Sequence, residues 1–314
     1  MEAAPYYEDV ADAPPGGQAW WCNTRDGMRI RVAVWPVPEG IATQGTVLLF
    51  PGRTEYIEKY GPSARAYASQ GFATLTLDWR GQGLTARAME DRRLGHVIDF
   101  AEYQTDLAAA LDLARALDLP RPRFLVAHSM GGCIGLRALH EGLDVRAVAF
   151  SAPMWGMQME TWERPLAWLS ALAAPLPPIG RKLTPRTDLD HALYADPFEG
   201  NDLTTDRAMW DFMRAQLDTY PDLTLGGPTI RWLRAALFET RALRRLAPPN
   251  LPALTFLGTG ERIVEPGPVK RLMRRWPGGR LELIEGAEHE IMMERAPVRD
   301  RFHAESAQLF LTHR

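Results

Sequence analysis

The sequence predicts an α/β chain: a mostly parallel central sheet flanked by helices, with a helical cap inserted before the last two strands. Three observations carry this. Short apolar runs alternate with helical patterns on both sides of residues 145–254, as expected when helices cover both faces of a parallel sheet. The stretch from Met154 to about Leu246 breaks the alternation: it has no clear strand, several tryptophans, and the breakers Pro175-Leu-Pro-Pro178 and Gly226-Gly-Pro228. Phe124-Leu-Val-Ala-His-Ser-Met-Gly-Gly132 reads as a buried strand, a one-residue corner and a helix.

Taken in order, residues 1 to about 17 end in Ala-Pro-Pro-Gly-Gly and read as a loose arm. Ala19 to Asn23 and Met28 to Val37 look like two strands around the turn Thr24-Arg-Asp-Gly27. Thr46 to Phe50 is a short buried strand, followed by the loop Pro51-Gly-Arg-Thr54. Glu58 to Gln70 reads as a helix closed by Gly71. Phe72 to Asp78 is the next strand. Asp99 to Leu117 is an amphipathic helix with Tyr103, Leu107, Ala110, Leu111 and Ala114 near one face. Val145 to Ser151, Leu254 to Gly258 and Arg280 to Ile284 are further strands. A helix near Val269 to Trp276 separates the last two, and a final helix runs from about Pro297 to Leu311. The domain division expected is a core of residues 1–153 and 247–314 and a cap of residues 154–246.

Composition narrows the function. With 314 residues, 46% hydrophobic and 24% charged, the chain has material for a large core. A formal net charge of -3 gives no case for nucleic acid, and there is no ladder of aromatic and basic residues of the kind single-strand binders carry. The two cysteines, Cys22 and Cys133, make no disulfide framework and have no metal-ligand spacing around them. The acidic N-terminus lacks the basic and apolar regions of a signal peptide, and no apolar run is long enough to span a bilayer. The cytoplasm is the simplest expected location, with room for peripheral contact with a membrane. No protein partner is predicted.

The corner at Ser129 carries the chemistry. A serine there has its hydroxyl pushed out above the sheet edge, the arrangement written G-x-S-x-G. Ala127 and Gly131 stand at the two small positions, alanine replacing the first glycine. A serine nucleophile needs a base, and the base an orienting acid. In such folds they follow in the order serine, acid, histidine, each on a loop after a strand. Of seven histidines, His289 fits, in the loop Glu285-Gly-Ala-Glu-His289. His303 reads as structural, and His128 has its side chain directed away from the serine site. The loop after Leu254 to Gly258 offers no aspartate. Glu261 is the acid by position and Glu265 the fallback, while Glu288 is too close to His289 to reach around to its ring. The backbone N–H of Met130, at a helix N-terminus, and that of Arg53, in the loop after the Thr46–Phe50 strand, are the expected oxyanion donors. This set needs no metal and no organic cofactor.

With these residues together the chain resembles the α/β-hydrolase superfamily, in its monoacylglycerol lipase and bacterial lysophospholipase branch. Pro51-Gly-Arg-Thr-Glu55 with Lys59-Tyr60 resembles that branch's oxyanion loop, where monoacylglycerol lipases carry His-Gly. Asp78-Trp-Arg-Gly-Gln-Gly83, Leu94-Gly-His-Val97, Ala127-His-Ser-Met-Gly-Gly132 and Ser151-Ala-Pro-Met-Trp-Gly156 match in order. Gly227-Pro-Thr and Arg231-Trp232 in the expected cap are similar too. The likeness covers most of the chain from about Thr46. It carries over Ser129, Glu261 and His289 as a triad and Arg53 and Met130 as oxyanion donors. Many relatives of the monoacylglycerol lipase kind use aspartate where Glu261 stands.

The resemblance implies hydrolysis of an ester in an acyl lipid, a lysophospholipid or monoacylglycerol. A tunnel for the acyl chain is expected along Trp155, Met157, Trp162 and Leu166. Arg231, Arg234, Arg241 and Arg245 are candidates for contact with a phosphate or an anionic membrane. The alternatives are a general carboxylesterase or peptidase on the same fold, or a binding protein that keeps the fold without catalysis.

Overall fold

A computed structural model describes residues 1–195 and 197–314. Its strands are β1 (Glu2–Ala3), β2 (Gln18–Asn23), β3 (Arg29–Trp35), β4 (Gly45–Phe50), β5 (Phe72–Asp78), β6 (Arg123–His128), β7 (Val148–Ser151), β8 (Ala253–Gly258) and β9 (Gly279–Ile284). Its helices are α1 (Glu8–Ala11), α2 (Gly61–Ala68), α3 (Ala101–Ala116), α4 (Ser129–His140), α5 (Glu163–Ala173), α6 (Ala192–Ala195), α7 (Arg207–Thr219), α8 (Ile230–Leu243), α9 (Pro266–Met273) and α10 (Ala296–Thr312). Among the described residues the strands form one sheet in the order β1-β2-β3-β5-β4-β6-β7-β8-β9. The pairs from β5 through β9 are parallel, and β1, β2 and β3 join antiparallel at one edge.

Burial on both faces explains why the central strands read as unbroken apolar runs. Side chains alternate along each strand. Leu48, Phe50, Leu125 and Ala127 therefore enter one core with Ile134 of α4 and Leu107 of α3. Their neighbours Val47, Leu49, Phe124 and Val126 enter the other, against Phe302 and Phe310 of α10.

Two local expectations are corrected. The N-terminal arm is not loose: β1 pairs with β2, Trp35 Nε1 donates to Tyr6 Oη at 2.8 Å, and the Tyr7 and Tyr220 rings stack with centroids 3.6 Å apart. The aromatics at positions 6 and 7 supply buried area that the Pro-Gly composition hid. The expected helix from Glu58 begins instead as a 3-10 turn, Ile57–Tyr60, and turns α-helical only at Gly61. The Glu58 carboxylate is drawn inward there to pair with the fully buried Arg31.

Between β7 and β8 the described residues carry α5 to α8 and no strand, only isolated bridges. Gly95 N donates to Gly227 O at 3.1 Å, and Thr229 N donates to Gly95 O at 2.8 Å. His96 Nδ1 meets Thr229 Oγ1 at 2.9 Å. The Leu94–Val97 segment thus pins the Gly226–Thr229 turn. At the other end of the insert, Gln158 N donates to Ile263 O and Glu265 N to Gly156 O, tying it to the loop after β8.

Candidate active site

Ser129 is the first residue of α4 and has φ of 49°, a left-handed conformation that a non-glycine residue holds only when its surroundings impose it. The imposing contact is at Gly131. A Cβ there would stand 2.2 Å from Phe50 O and 2.5 Å from Pro51 O, so only glycine lets α4 start this close to β4. Alanine at position 127 is accommodated across the helix. Its Cβ lies 3.4 Å from where a Cβ on Gly135 would be, and Gly135 has none.

Ser129 Oγ lies 2.9 Å from His289 Nε2, and His289 Nδ1 lies 2.7 Å from Glu261 Oε2. All three residues are buried. The other Glu261 oxygen accepts from Ile263 N at 2.7 Å and Val264 N at 2.9 Å. Two backbone amides therefore fix the carboxylate. Burial penalises the Glu261 carboxylate, but His289 and the two amides outweigh it and hold its pKa below the ordinary value. Burial likewise lowers the His289 pKa, and Glu261 outweighs it to leave the imidazole raised. Glu265 turns away to Arg164 and Arg244, and Glu288 pairs with Arg262. His303 Nε2 meets Ser63 Oγ at 3.0 Å, away from the site.

The loop after β4 approaches the same serine and is clamped by the Asp78–Gly83 segment. Trp79 Nε1 donates to Pro51 O at 3.0 Å, Gln82 Nε2 to Gly52 O at 3.0 Å, and Thr54 N to Gln82 Oε1 at 3.2 Å. Residues on both sides of Arg53 are thereby fixed. Met130 N belongs to the first turn of α4, where backbone N–H groups have no partner within the helix.

Sequence reasoning missed a buried ionic cluster beside His289. Lys59 Nζ sits 2.7 Å from Glu290 Oε1 and 2.5 Å from Glu55 Oε1, and Tyr60 Oη and Gly52 N donate to the other Glu55 oxygen. His128 Nε2 faces the same carboxylates at 3.3 and 3.5 Å, while its Nδ1 reaches Ser151 at 3.0 Å. Its ring centroid is 4.8 Å from that of His289. Burial would raise the Glu290 pKa, but Lys59 and then His128 hold it well below the ordinary range. The available signal was the spacing: Glu55 stands two positions and Lys59 six positions after Arg53, and Glu290 directly follows His289.

Ser129 and His289 open into a cavity of about 620 Å³. Its apolar wall includes Met154, Met157, Met159, Leu233 and Val264, and its polar wall includes Arg53, Thr184 and Glu290. Of the residues expected to line an acyl tunnel, only Met157 does so. Trp155 is core: its Nε1 donates to Gly132 O at 3.1 Å, and its ring stacks on Trp276. Trp162 and Leu166 are 57% and 55% exposed, because α5 turns Ala167, Trp168 and Ala171 toward Leu233 and Leu237 of α8. The expected run of arginines is partly absorbed by the same packing: Arg234 donates to Ala171 O and lies over Phe238, and Arg241 lies over Trp168.

A mostly parallel sheet, a strained serine at the strand-to-helix corner after β6, and an acid and a histidine on the loops after β8 and β9 define an α/β-hydrolase. The chain belongs to the family described as "Serine aminopeptidase, S33", whose profile matches residues 41–296. It stands in the lysophospholipase and monoacylglycerol lipase-like branch and is a carboxylic ester hydrolase. It is 32% identical to Lysophospholipase L2 of Escherichia coli K12 over 279 residues, covering 81% of this chain and 76% of that protein. In fold it is similar to a soluble variant of monoglyceride lipase from Saccharomyces cerevisiae, with a TM-score of 0.74, 22% identity and 99% of both chains covered. It is also similar to the monoacylglycerol lipase of Paleococcus ferrophilus, with a TM-score of 0.69, 19% identity, and 91% of this chain and 99% of that one covered.

Proposed function

We propose that the protein cleaves the acyl ester of a lysophospholipid or monoacylglycerol through an acyl-enzyme on Ser129. The observation that carries this is the continuous contact from Ser129 Oγ through His289 to Glu261, opening into a largely apolar cavity. His289 Nε2 accepts the hydroxyl proton as Oγ attacks the ester carbonyl. Glu261 holds Nδ1–H and offsets the charge of the imidazolium. The N–H groups of Met130 and Arg53 receive the oxyanion, and losing one such donor typically costs about a hundredfold to a thousandfold in rate. The imidazolium then protonates the departing glycerol oxygen, and the same base activates the water that releases the fatty acid. None of these steps needs a metal or an organic cofactor.

Residues 154–246 act as the cap over a core of residues 1–153 and 247–314, and their inner face receives the acyl chain. Each buried methylene contributes about 0.8 kcal/mol, so ten contribute on the order of 8 kcal/mol before ordering costs. The outer face of α5 makes peripheral contact with the lipid surface. Leu166, Leu169 and Leu172 recur every three residues, each more than half exposed, with Trp162 and Leu176 continuing the stripe. Ser129→Ala protein should lose turnover of lysophosphatidylcholine and monoacylglycerol; near wild-type hydrolysis of both would remove the assignment.

A further inference from the structure

We propose that the Arg53 side chain is the recognition site for the phosphate of a phospholipid head group, so that the enzyme selects lysophospholipids over neutral monoacylglycerols. This rests on the ester-lipid reading above and adds a substrate class to it. The guanidinium lies in the wall of the cavity that holds Ser129 and His289. A guanidinium has five N–H donors in a planar fork. Here it makes one side-chain hydrogen bond to protein among the described residues, from Nη2 to Gly226 O. Nε is buried with no partner. The ring of Trp232 lies against one face, 5.4 Å from the guanidinium carbon.

No carboxylate among the described residues approaches Arg53 within ion-pair distance, in a chain where most buried cations are paired. Arg31 is held by Asp78 and Glu58, Lys59 by Glu55 and Glu290, and Arg80 by Asp106. Of the acids in the cavity wall, Glu55 and Glu290 are engaged by Lys59, and Asp188 and Asp190 form no ion pair with Arg53 among the described residues. Burial therefore acts on Arg53 without an anion to offset it and pushes its pKa down to about 10. A desolvated cation with free donors is completed by an anion that brings its own charge and acceptors, and a fork of this shape fits a phosphate with two parallel hydrogen bonds.

The surroundings hold the guanidinium in place. Nη2 is tethered to the Gly226 turn, which the Leu94–Val97 segment pins. On the Nε side stands Gly95, where a Cβ would lie 3.6 Å from Nε and 3.2 Å from Nη2. Arg53 also belongs to the loop whose backbone faces the nucleophile, so a phosphate held by its side chain stays on the same wall as the reacting carbonyl.

The test compares lysophosphatidylcholine with monoacylglycerol of the same acyl chain, in the same detergent micelles, for wild type, Arg53→Met and Arg53→Lys. Both variants keep the backbone N–H at position 53. The ratio of kcat/KM for the phospholipid over the neutral lipid should fall at least tenfold in Arg53→Met and by less in Arg53→Lys, which keeps the charge without the fork. Equal losses on both lipids, or an unchanged ratio, would overturn the proposal. Calorimetric titration of Ser129→Ala protein with glycerophosphocholine reads the same site without turnover. Binding should be present there and lost when Arg53→Met is added, whereas binding that survives the second change contradicts the assignment. Should wild type cleave neither lipid, the ester-lipid reading fails, and this titration still decides what Arg53 holds.

Discussion

Replacing Lys59 by methionine removes a cation that two buried carboxylates share. Its Nζ lies 2.7 Å from Glu290 and 2.5 Å from Glu55, and all three side chains are 7% exposed or less. Methionine fills much of the space of the lysine stem but leaves Glu55 and Glu290 facing each other across His128. Removing one member of a buried pair costs about 3–5 kcal/mol, most of it the penalty of the charge left behind. With a urea slope of about 3 kcal/mol per molar, the unfolding midpoint should drop by about 1–1.7 M. Changing Glu290 to glutamine in the same chain should return part of that loss, because one stranded anion is then gone. Urea titration followed by tryptophan fluorescence measures all three proteins. A Lys59→Met midpoint within 0.2 M of wild type would show that the cluster is not held by this charge balance.

The remaining predictions concern the triad and the lipid surface. In the proposed mechanism the neutral form of His289 is the active one, and its pKa is raised, so kcat/KM should rise with pH through a value above the ordinary 6.5. In Glu261→Gln the main cause of the raise is gone: the acid limb should move to lower pH and kcat should fall about 10³- to 10⁴-fold, whereas an unmoved limb would mean that Glu261 does not orient this ring. The same pair ties stability to pH at both ends. The contribution from His289 is fully present below pH 6.5 and lost as pH rises through its raised pKa, and that from Glu261 is present above 4.5 and lost as pH falls through its lowered one. Leu169→Ser with Leu172→Ser should weaken sedimentation with lipid vesicles at least tenfold and leave turnover of a short soluble ester near wild type; unchanged vesicle binding would remove α5 as the contact.

The strand-end positions of Ser129, Glu261 and His289 were legible because each follows an apolar run, and the structure brings their side chains into contact. Glu55, Lys59 and Glu290 were not, because a charged residue near a loop reads by default as solvated, and only three-dimensional proximity shows that they neutralise one another. Trp155 misled for the reverse reason: a tryptophan in a segment without strands suggests a ligand wall, but its indole N–H found the Gly132 carbonyl and its ring found Trp276. Nothing in the sequence said which side of α5 faces α8, so Leu166 was expected along the acyl tunnel although it is more than half exposed. The N-terminal arm was hidden by its prolines and glycines, although Tyr6 and Tyr7 were there to anchor it.

The central claim is that Ser129 is the residue acylated during turnover. Reacting the folded protein with a fluorophosphonate and mapping the adduct by peptide mass spectrometry tests it most directly. One adduct per chain, on the peptide bearing Ser129 and missing from Ser129→Ala, is the predicted result. Folded protein that hydrolyses esters yet carries no adduct on that serine, or carries it on another residue, would contradict the account.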